Sequence, residues 1–240
     1  MSHTRTSSKA SLAERQSAPA TEAVEDYAKA IYGLQRYEEG PVTTTALAER
    51  LGVAPSSVTA MLKRLDELGL VRYEPYHGVT LTAAGEKVAL EVIRHHRLIE
   101  AFLADALGMP WDRVHDEAEV LEHYISEDLE RLIAEKLGNP SLDPHGDPIP
   151  TPELAMAADR TTALQELEPG DVATFARVSD SDPKMLRYLA ERGIRPGARV
   201  RVTEVQPFGG PVFVEVGGRE HALGGELAAK MRVEPAGVSA

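Results

Sequence analysis

The sequence predicts a mainly α chain with β: a winged helix-turn-helix, then a helical domain, then a small C-terminal β-barrel domain. Three observations predict it. Residues 43–82 hold a short helix, a Gly-containing turn, a second amphipathic helix and a hairpin pattern. Two long stretches of helical period, broken by Gly and Pro, run on to residue 138. From about Thr161 the pattern changes to short strand-like runs punctuated by Gly193, Gly197, Gly209-Gly210 and Gly217-Gly218.

Residues 1–20 are Ser/Ala/Thr-rich and read as a flexible tail, mildly basic through Arg5, Lys9 and Arg15 against Glu14. Lacking an apolar core, this stretch is not a secretory signal. In the first helix, about Ala23 to Tyr37, Ala23, Tyr27, Ala30, Ile31 and Leu34 recur at i, i+3/i+4 spacing. Thr43 is an N-cap candidate for a two-turn helix that Gly52 ends. A second helix opens at Pro55 with the stripe Val58, Met61, Leu62, Leu65 and Leu68, and Gly69 closes it. Leu70–Glu74 and Val79–Thr82 make a hairpin with Tyr76-His77-Gly78 at its tip. The expected domains are therefore a winged helix over 21–83 and a helical domain over 84–140. A Pro-rich linker over 141–160 and a barrel over 161–235 complete them.

The helical region is expected as two helices, Ala83–Leu107 and Asp112–Leu137, separated by Gly108-Met109-Pro110. Residues 139–152 contain five prolines, which excludes helix and leaves an extended linker or a fixed loop. Strand candidates are Asp171–Val178, Arg199–Gln206, Pro211–Val216 and Arg219–Leu223, with a helix over Pro183–Arg192.

Composition removes several classes of function. The chain has no cysteine, so disulfides, thiolate catalysis, Fe–S clusters and Cys-type zinc sites are all excluded, and a cytoplasmic chain is expected. No apolar run is long enough to span a bilayer. The formal net charge of −12 argues against a polyanion partner if taken alone. Residues 41–90, however, hold five basic and five acidic side chains, whereas residues 91–138 hold five basic and twelve acidic. That second stretch also carries His95, His96, His115 and His123, four of the eight histidines.

The helix-turn-helix has two readings. In the first, the Pro55–Gly69 helix enters the major groove of DNA, where Ser56, Ser57 and Thr59 meet bases or phosphates and Lys63 and Arg64 supply phosphate contacts. In the second, the winged helix is a protein-interaction module that works without metal. The acidic stretch also has two readings, a solvated charged helix face or a cation site. His115, Glu119, Glu122 and His123 fall on one helical stripe, and His96 and Glu100 are i, i+4 on the preceding helix. Asp26 is a further oxygen donor able to close such a site. Uncompensated carboxylates raise one another's pKa, and a divalent cation relieves that repulsion. Oxygen and imidazole donors without sulfur suit Mn(II), Fe(II), Co(II) or Zn(II). A metallohydrolase reading of the same donors lacks a nucleophile motif, a Gly-rich phosphate loop and an evident general base.

Several motifs in one order then resemble the diphtheria-toxin-repressor (DtxR/IdeR/MntR) family of metal-dependent transcriptional regulators. They are Val24-Glu25-Asp26-Tyr27 with Ala30-Ile31-Tyr32, Pro55-Ser56-Ser57-Val58-Thr59, Val79-Thr80-Leu81-Thr82 with Ala84-Gly85, and Arg94-His95-His96-Arg97-Leu98. Glu119-Val120-Leu121-Glu122-His123, Ser126-Glu127-Asp128 and the Asn139–Pro150 loop follow, and the C-terminal segment is similar to the family's FeoA-like barrel. The resemblance implies a homodimer that binds palindromic double-stranded operator DNA and represses metal-homeostasis genes. It assigns Asp26, Glu119, Glu122 and His123 to a primary metal site. His96, Glu100 and His115 go to an ancillary one, with Asp180 or Asp182 as the barrel's contribution. Iron-sensing members carry Met and Cys where this chain has Asp26 and Glu119. Oxygen at both positions favours Mn(II), with an Fe(II) regulator of the same build as the alternative. Lys29 stands where short manganese sensors have a carboxylate, which favours two separated sites.

Overall fold

The structure is a computed structural model that describes residues 18–36 and 40–236. Most of the expected tail, and the Tyr37–Glu39 end of the first helix, lie outside the described residues. The chain divides into two compact units, Met1–Ile93 and Arg94–Ala240.

The first unit contains α1 (Ala18–Gln35), α2 (Thr44–Leu51), α3 (Pro55–Glu67), β1 (Val71–Glu74), β2 (Gly78–Leu81) and the opening turns of α4 (Ala83–Asp105). Thr43 caps α2 by accepting from the Ala46 N–H at 3.1 Å. Gly52, at φ 65, ends α2 in the left-handed conformation that only glycine adopts cheaply. The tight turn lets α3 fold back, and Val58, Leu62 and Leu65 bury against Ile31, Leu47 and Ala48. Each such side chain contributes roughly 1.5–3 kcal/mol of apolar transfer. The hairpin pairs Val71 with Leu81 and Glu74 with Gly78, and it is not a free arm. Val42 bridges to Val79, and the Asp66 carboxylate accepts from the Tyr73 N–H at 3.1 Å. At Gly85 a Cβ would lie 2.0 Å from the Leu70 carbonyl oxygen, so the start of α4 closes on the hairpin only as glycine.

The second unit contains the rest of α4, α5 (Val114–Leu121), α6 (Glu127–Lys136) and a β-rich region. The single helix expected over Asp112–Leu137 is two helices. Ser126 caps α6 by accepting from the Leu129 N–H, and Glu127, Asp128 and Glu130 fill its first turn, where the helix dipole favours acids. The chain therefore turns after α5, and Glu122 and His123 sit in that turn. Of the two alternatives for the Pro-rich segment, the molecule takes the fixed loop. Leu142 bridges to Pro148, and the Asp143 Oδ1 accepts from the His145 and Asp147 N–H groups at 2.8 and 3.0 Å. Arg94 and Arg97 donate to the Pro150 and Pro148 carbonyls.

The C-terminal region has β3 (Thr162–Ala163), β4 (Val172–Val178), α7 (Pro183–Glu191), β5 (Arg199–Val205), β6 (Val212–Val216), β7 (Arg219–Leu223), α8 (Gly225–Lys230) and β8 (Met231–Pro235). Its strands form one antiparallel sheet in the order β3-β8-β4-β5-β6-β7. This is the antiparallel sheet of the expected FeoA-like domain, and the ladder runs from β3 to β7 with no pairing that closes it among the described residues. Strand β8 and helix α8 escape the sequence pattern. β8 nevertheless pairs with both β3 and β4 and places Met231 and Val233 in the core.

Candidate metal centre and nucleic-acid interface

Within the second unit, the middle of α4 presents His96 and Glu100 one turn apart, and α5 presents His115 and Glu119 in the same way. His96 stands between two sets of donors. Its Nδ1 lies 2.5 Å from Glu122 Oε2 and 3.7 Å from Glu119 Oε1. Its Nε2 lies 3.1 Å from Glu100 Oε1 and 3.1 Å from His115 Nδ1. His123 Nε2 is 3.7 Å from Glu122 Oε1. His96, Glu119 and Glu122 form one group whose ligand atoms lie within 4.8 Å of one another, and His96, Glu100, His115 and Asp180 form another. The two sets therefore adjoin through one imidazole, whereas the sequence reading gave His96 to the ancillary set alone.

The C-terminal region contributes through Asp180, whose Oδ2 is 3.1 Å from His115 Nδ1. Asp182 goes elsewhere. It caps α7, accepting from the Lys184 N–H at 2.8 Å, and it is not among the clustered donors. Asp26 belongs to the first unit, half-buried on α1.

A third group went unpredicted. Glu100, Asp143 and His145 are all buried, with ligand atoms within 4.8 Å of one another. Asp143 and His145 come from the Pro-rich loop, which has no periodicity to align them with α4. The signal available in the sequence was Asp143-Pro144-His145 itself, two ligand-type residues flanking a proline.

The charge balance of this interior is specific. Burial pushes the Glu100 carboxyl up, but His96, His115 and His145 outweigh burial and hold it well below the usual range. Burial lowers His115, yet Asp180 and Glu100 lift it to about 10. Burial likewise opposes the charge on His145, which Glu100, Asp143 and Asp180 raise to about 9. Burial works against the charge of Asp180 too. With 27% of that side chain exposed, the contact with His115 prevails and its carboxyl falls to about 2. Asp143 is pushed up to about 8 by burial and by the charges of Glu100 and Asp147.

Both carboxylate oxygens of Glu100 and the Nδ1 of His145 are buried without a well-formed hydrogen bond, the contacts between Glu100 and the three histidines being 3.1 to 3.6 Å long. Such atoms are costly unless a ligand satisfies them. Hard oxygen and imidazole donors with orphaned lone pairs fit a divalent first-row cation. To act as ligands, His115 and His145 must each shed a proton, so occupation of the site is coupled to proton release.

In the first unit, Ser56, Ser57, Lys63 and Arg64 are exposed on α3. Thr59 is half-buried, and its hydroxyl donates to the Pro55 carbonyl at 3.0 Å. No side chain caps the start of α3, which leaves that end open to a phosphate oxygen. No helix among the described residues is long and apolar enough to cross a membrane.

Comparison with known proteins accounts for nearly the whole chain. Residues 20–79 match the model of the iron dependent repressor N-terminal DNA binding domain. Residues 82–151 match the iron dependent repressor metal binding and dimerisation domain, and residues 162–235 the FeoA domain. The iron-dependent repressor IdeR of Mycobacterium leprae is 36% identical over 224 residues, covering 88% of this chain and 96% of its own length. A manganese-dependent transcriptional repressor solved in complex with manganese is 42% identical, with a TM-score of 0.83 over 88% of this chain and 99% of that one. ScaR solved with bound Zn2+ is 32% identical, with a TM-score of 0.74 over 88% and 98%.

Proposed function

Because this chain belongs to the iron-dependent repressor family, whose members are metal-dependent DNA-binding repressors rather than enzymes, we propose that it is a Mn(II)-responsive repressor. The observation that carries the reading is the convergence of His96, His115 and Asp180 with the fully buried Glu100 carboxylate. Every donor is oxygen or nitrogen, which suits a hard ion, and a solved relative at 42% identity is a manganese-dependent repressor. The Fe(II) alternative draws on the 36% identity to IdeR.

In this reading Glu119, Glu122 and His123 hold the regulatory ion. Asp26 is the donor on the DNA-binding side whose engagement makes operator affinity depend on metal. Asp26 rests on residue chemistry and on the family pattern. Bound metal sets the spacing of two α3 helices in a dimer, and a palindrome accepts only one spacing. Ser56, Ser57 and Thr59 then meet the groove while Lys63 and Arg64 hold phosphates. The exposed apolar side chains Val120, Leu121, Tyr124, Leu129 and Leu132 on α5, α6 and the turn between them are the surface for a second copy. Their exposures run from 43% to 62%, more than an isolated soluble face needs to show.

A gel shift on a palindromic operator, with Mn(II), with anaerobic Fe(II) and with chelator, tests the reading. The expected result is a shift with Mn(II) that chelator abolishes. A shift with Fe(II) alone moves the assignment to iron, and equal binding in chelator overturns metal dependence. By linkage, operator DNA tightens Mn(II) binding by the same factor.

A further inference from the structure

We propose that Trp111 is a positioning residue for the Glu100–Asp143–His145 group, and that Arg195 acts through it, so that occupation of the group and seating of the C-terminal sheet are linked. The proposal rests on the metal reading above and adds to it the side chains that hold a ligand in place.

Trp111 lies between α4 and α5, yet it is 4% exposed and buried in the core of the C-terminal sheet. Every other buried member of that core lies between Leu164 and Val233. The Trp111 carbonyl is 2.7 Å from His145 Nε2. A carbonyl only accepts, so Nε2 must carry a proton. The imidazole is thereby turned so that Nδ1 faces Glu100 Oε2 at 3.6 Å, with no hydrogen-bond partner of its own. A bond from the far ring nitrogen to a carbonyl is what orients an imidazole for metal. The indole stacks on the same imidazole, with ring centroids 5.7 Å apart and planes 24° apart.

Arg195, beyond α7, holds its guanidinium 4.1 Å from the indole centroid. The neighbouring Asp112 accepts from Arg187 of α7 at 2.9 Å. Two arginines of the C-terminal region thus grip adjacent residues of the connection that orients His145. The indole N–H is buried without a partner, a cost that phenylalanine would avoid. Tryptophan offers in exchange the strongest ring for a cation. Whatever holds the sheet against Trp111 also holds His145 toward Glu100, and an ion bound there must strengthen the seating in return.

The test is Mn(II) titration of the full chain without DNA, read from the electron paramagnetic resonance of free Mn(II). Hydrogen exchange of the C-terminal sheet is followed alongside. The wild type is expected to show two classes of site and slower exchange with Mn(II). Arg195→Gln, at an exposed position that does not threaten folding, weakens one class about 3-fold, and Trp111→Ala weakens the same class about 10-fold. Both Trp111 variants keep the backbone carbonyl, and Trp111→Phe, which also keeps the stack, restores that class to within about 3-fold. A merely structural role would not spare the second class. Unchanged affinity of both classes in folded Arg195→Gln and Trp111→Ala overturns the proposal. If Trp111→Ala does not fold, Arg195→Gln alone decides. A wild type that takes up no Mn(II) overturns the metal reading, and this proposal falls with it.

Discussion

The two groups that meet at His96 are built differently. The Glu119 and Glu122 side comes from α5 and the turn after it, and the Glu119 side chain is 41% exposed. The Glu100, Asp143 and His145 side comes from a helix and a loop, and Asp180 of the C-terminal region joins Glu100 through His115; the Glu100 and His145 side chains are fully buried. Glu119 gives the first side a donor open to solvent, although Glu122 is fully buried and His123 nearly so. A buried group is already balanced by imidazolium, and filling it means expelling protons from a closed interior.

Glu100→Gln breaks this comparison most severely, because Glu100 faces His96, His115 and His145 at once. Removing its charge should cost at least about 100-fold in Mn(II) affinity by calorimetry, beyond the loss typical of supporting residues. Affinity within a few-fold of wild type would show that Glu100 is no ligand. Asp143→Ala sharpens the contrast. It should weaken one class of site by about 10-fold while leaving the Mn(II)-dependent gel shift in place, whereas Glu119→Ala should abolish the shift. Equal loss of the shift in both variants would make the groups one site.

Gly146 has φ 89, and a Cβ there would lie 1.9 Å from the Ala176 carbonyl oxygen. Gly146→Ala should therefore destabilise the fold by about 2 kcal/mol and lower the midpoint of thermal unfolding, since the loop can no longer close on β4. An unchanged midpoint would mean the loop is not anchored there. The smallest effect is expected at Asp159. Burial raises its carboxyl, but hydrogen bonds from Thr161 and the charge of Arg177 outweigh that and lower it from 3.8 to about 2. A carboxyl depressed on folding stabilises above its unfolded pKa, so this contribution is full above pH 3.8 and is lost as pH falls toward 2. The side chain is 31% exposed, so solvent screening leaves about 1 kcal/mol. Acid unfolding of Asp159→Asn should begin from a stability lower by that amount at pH 6 and converge with wild type near pH 2.

What was legible in the sequence follows the same division. Local periodicity exposed α1 to α4, the hairpin and four of the strands, because each has its apolar residues on one face. It also exposed the His96/Glu100 and His115/Glu119 pairs. It joined α5 to α6 because the stripe continues past Glu122, and only the Ser126 cap separates them. It passed over Asp143 and His145, whose place beside Glu100 is set by loop hydrogen bonds and by Gly146 rather than by a repeat. The family resemblance, not periodicity, offered Asp180 and Asp182 as equals, and the cap on α7 distinguishes them. The short β3 and β8 were invisible because their few core residues pair with partners far along the chain, and α8 is only six residues long.

His96 has one further consequence. A neutral imidazole owns a single ring hydrogen, and here its two nitrogens look into adjoining chambers, Nδ1 at Glu122 and Nε2 at Glu100. Committing that hydrogen to one chamber decides what the other receives. The ring is a two-position selector: an ion that takes its lone pair on one side leaves the hydrogen facing the other, so the two chambers compete for it, and the response to rising ion concentration should be shallower than two unconnected chambers would give.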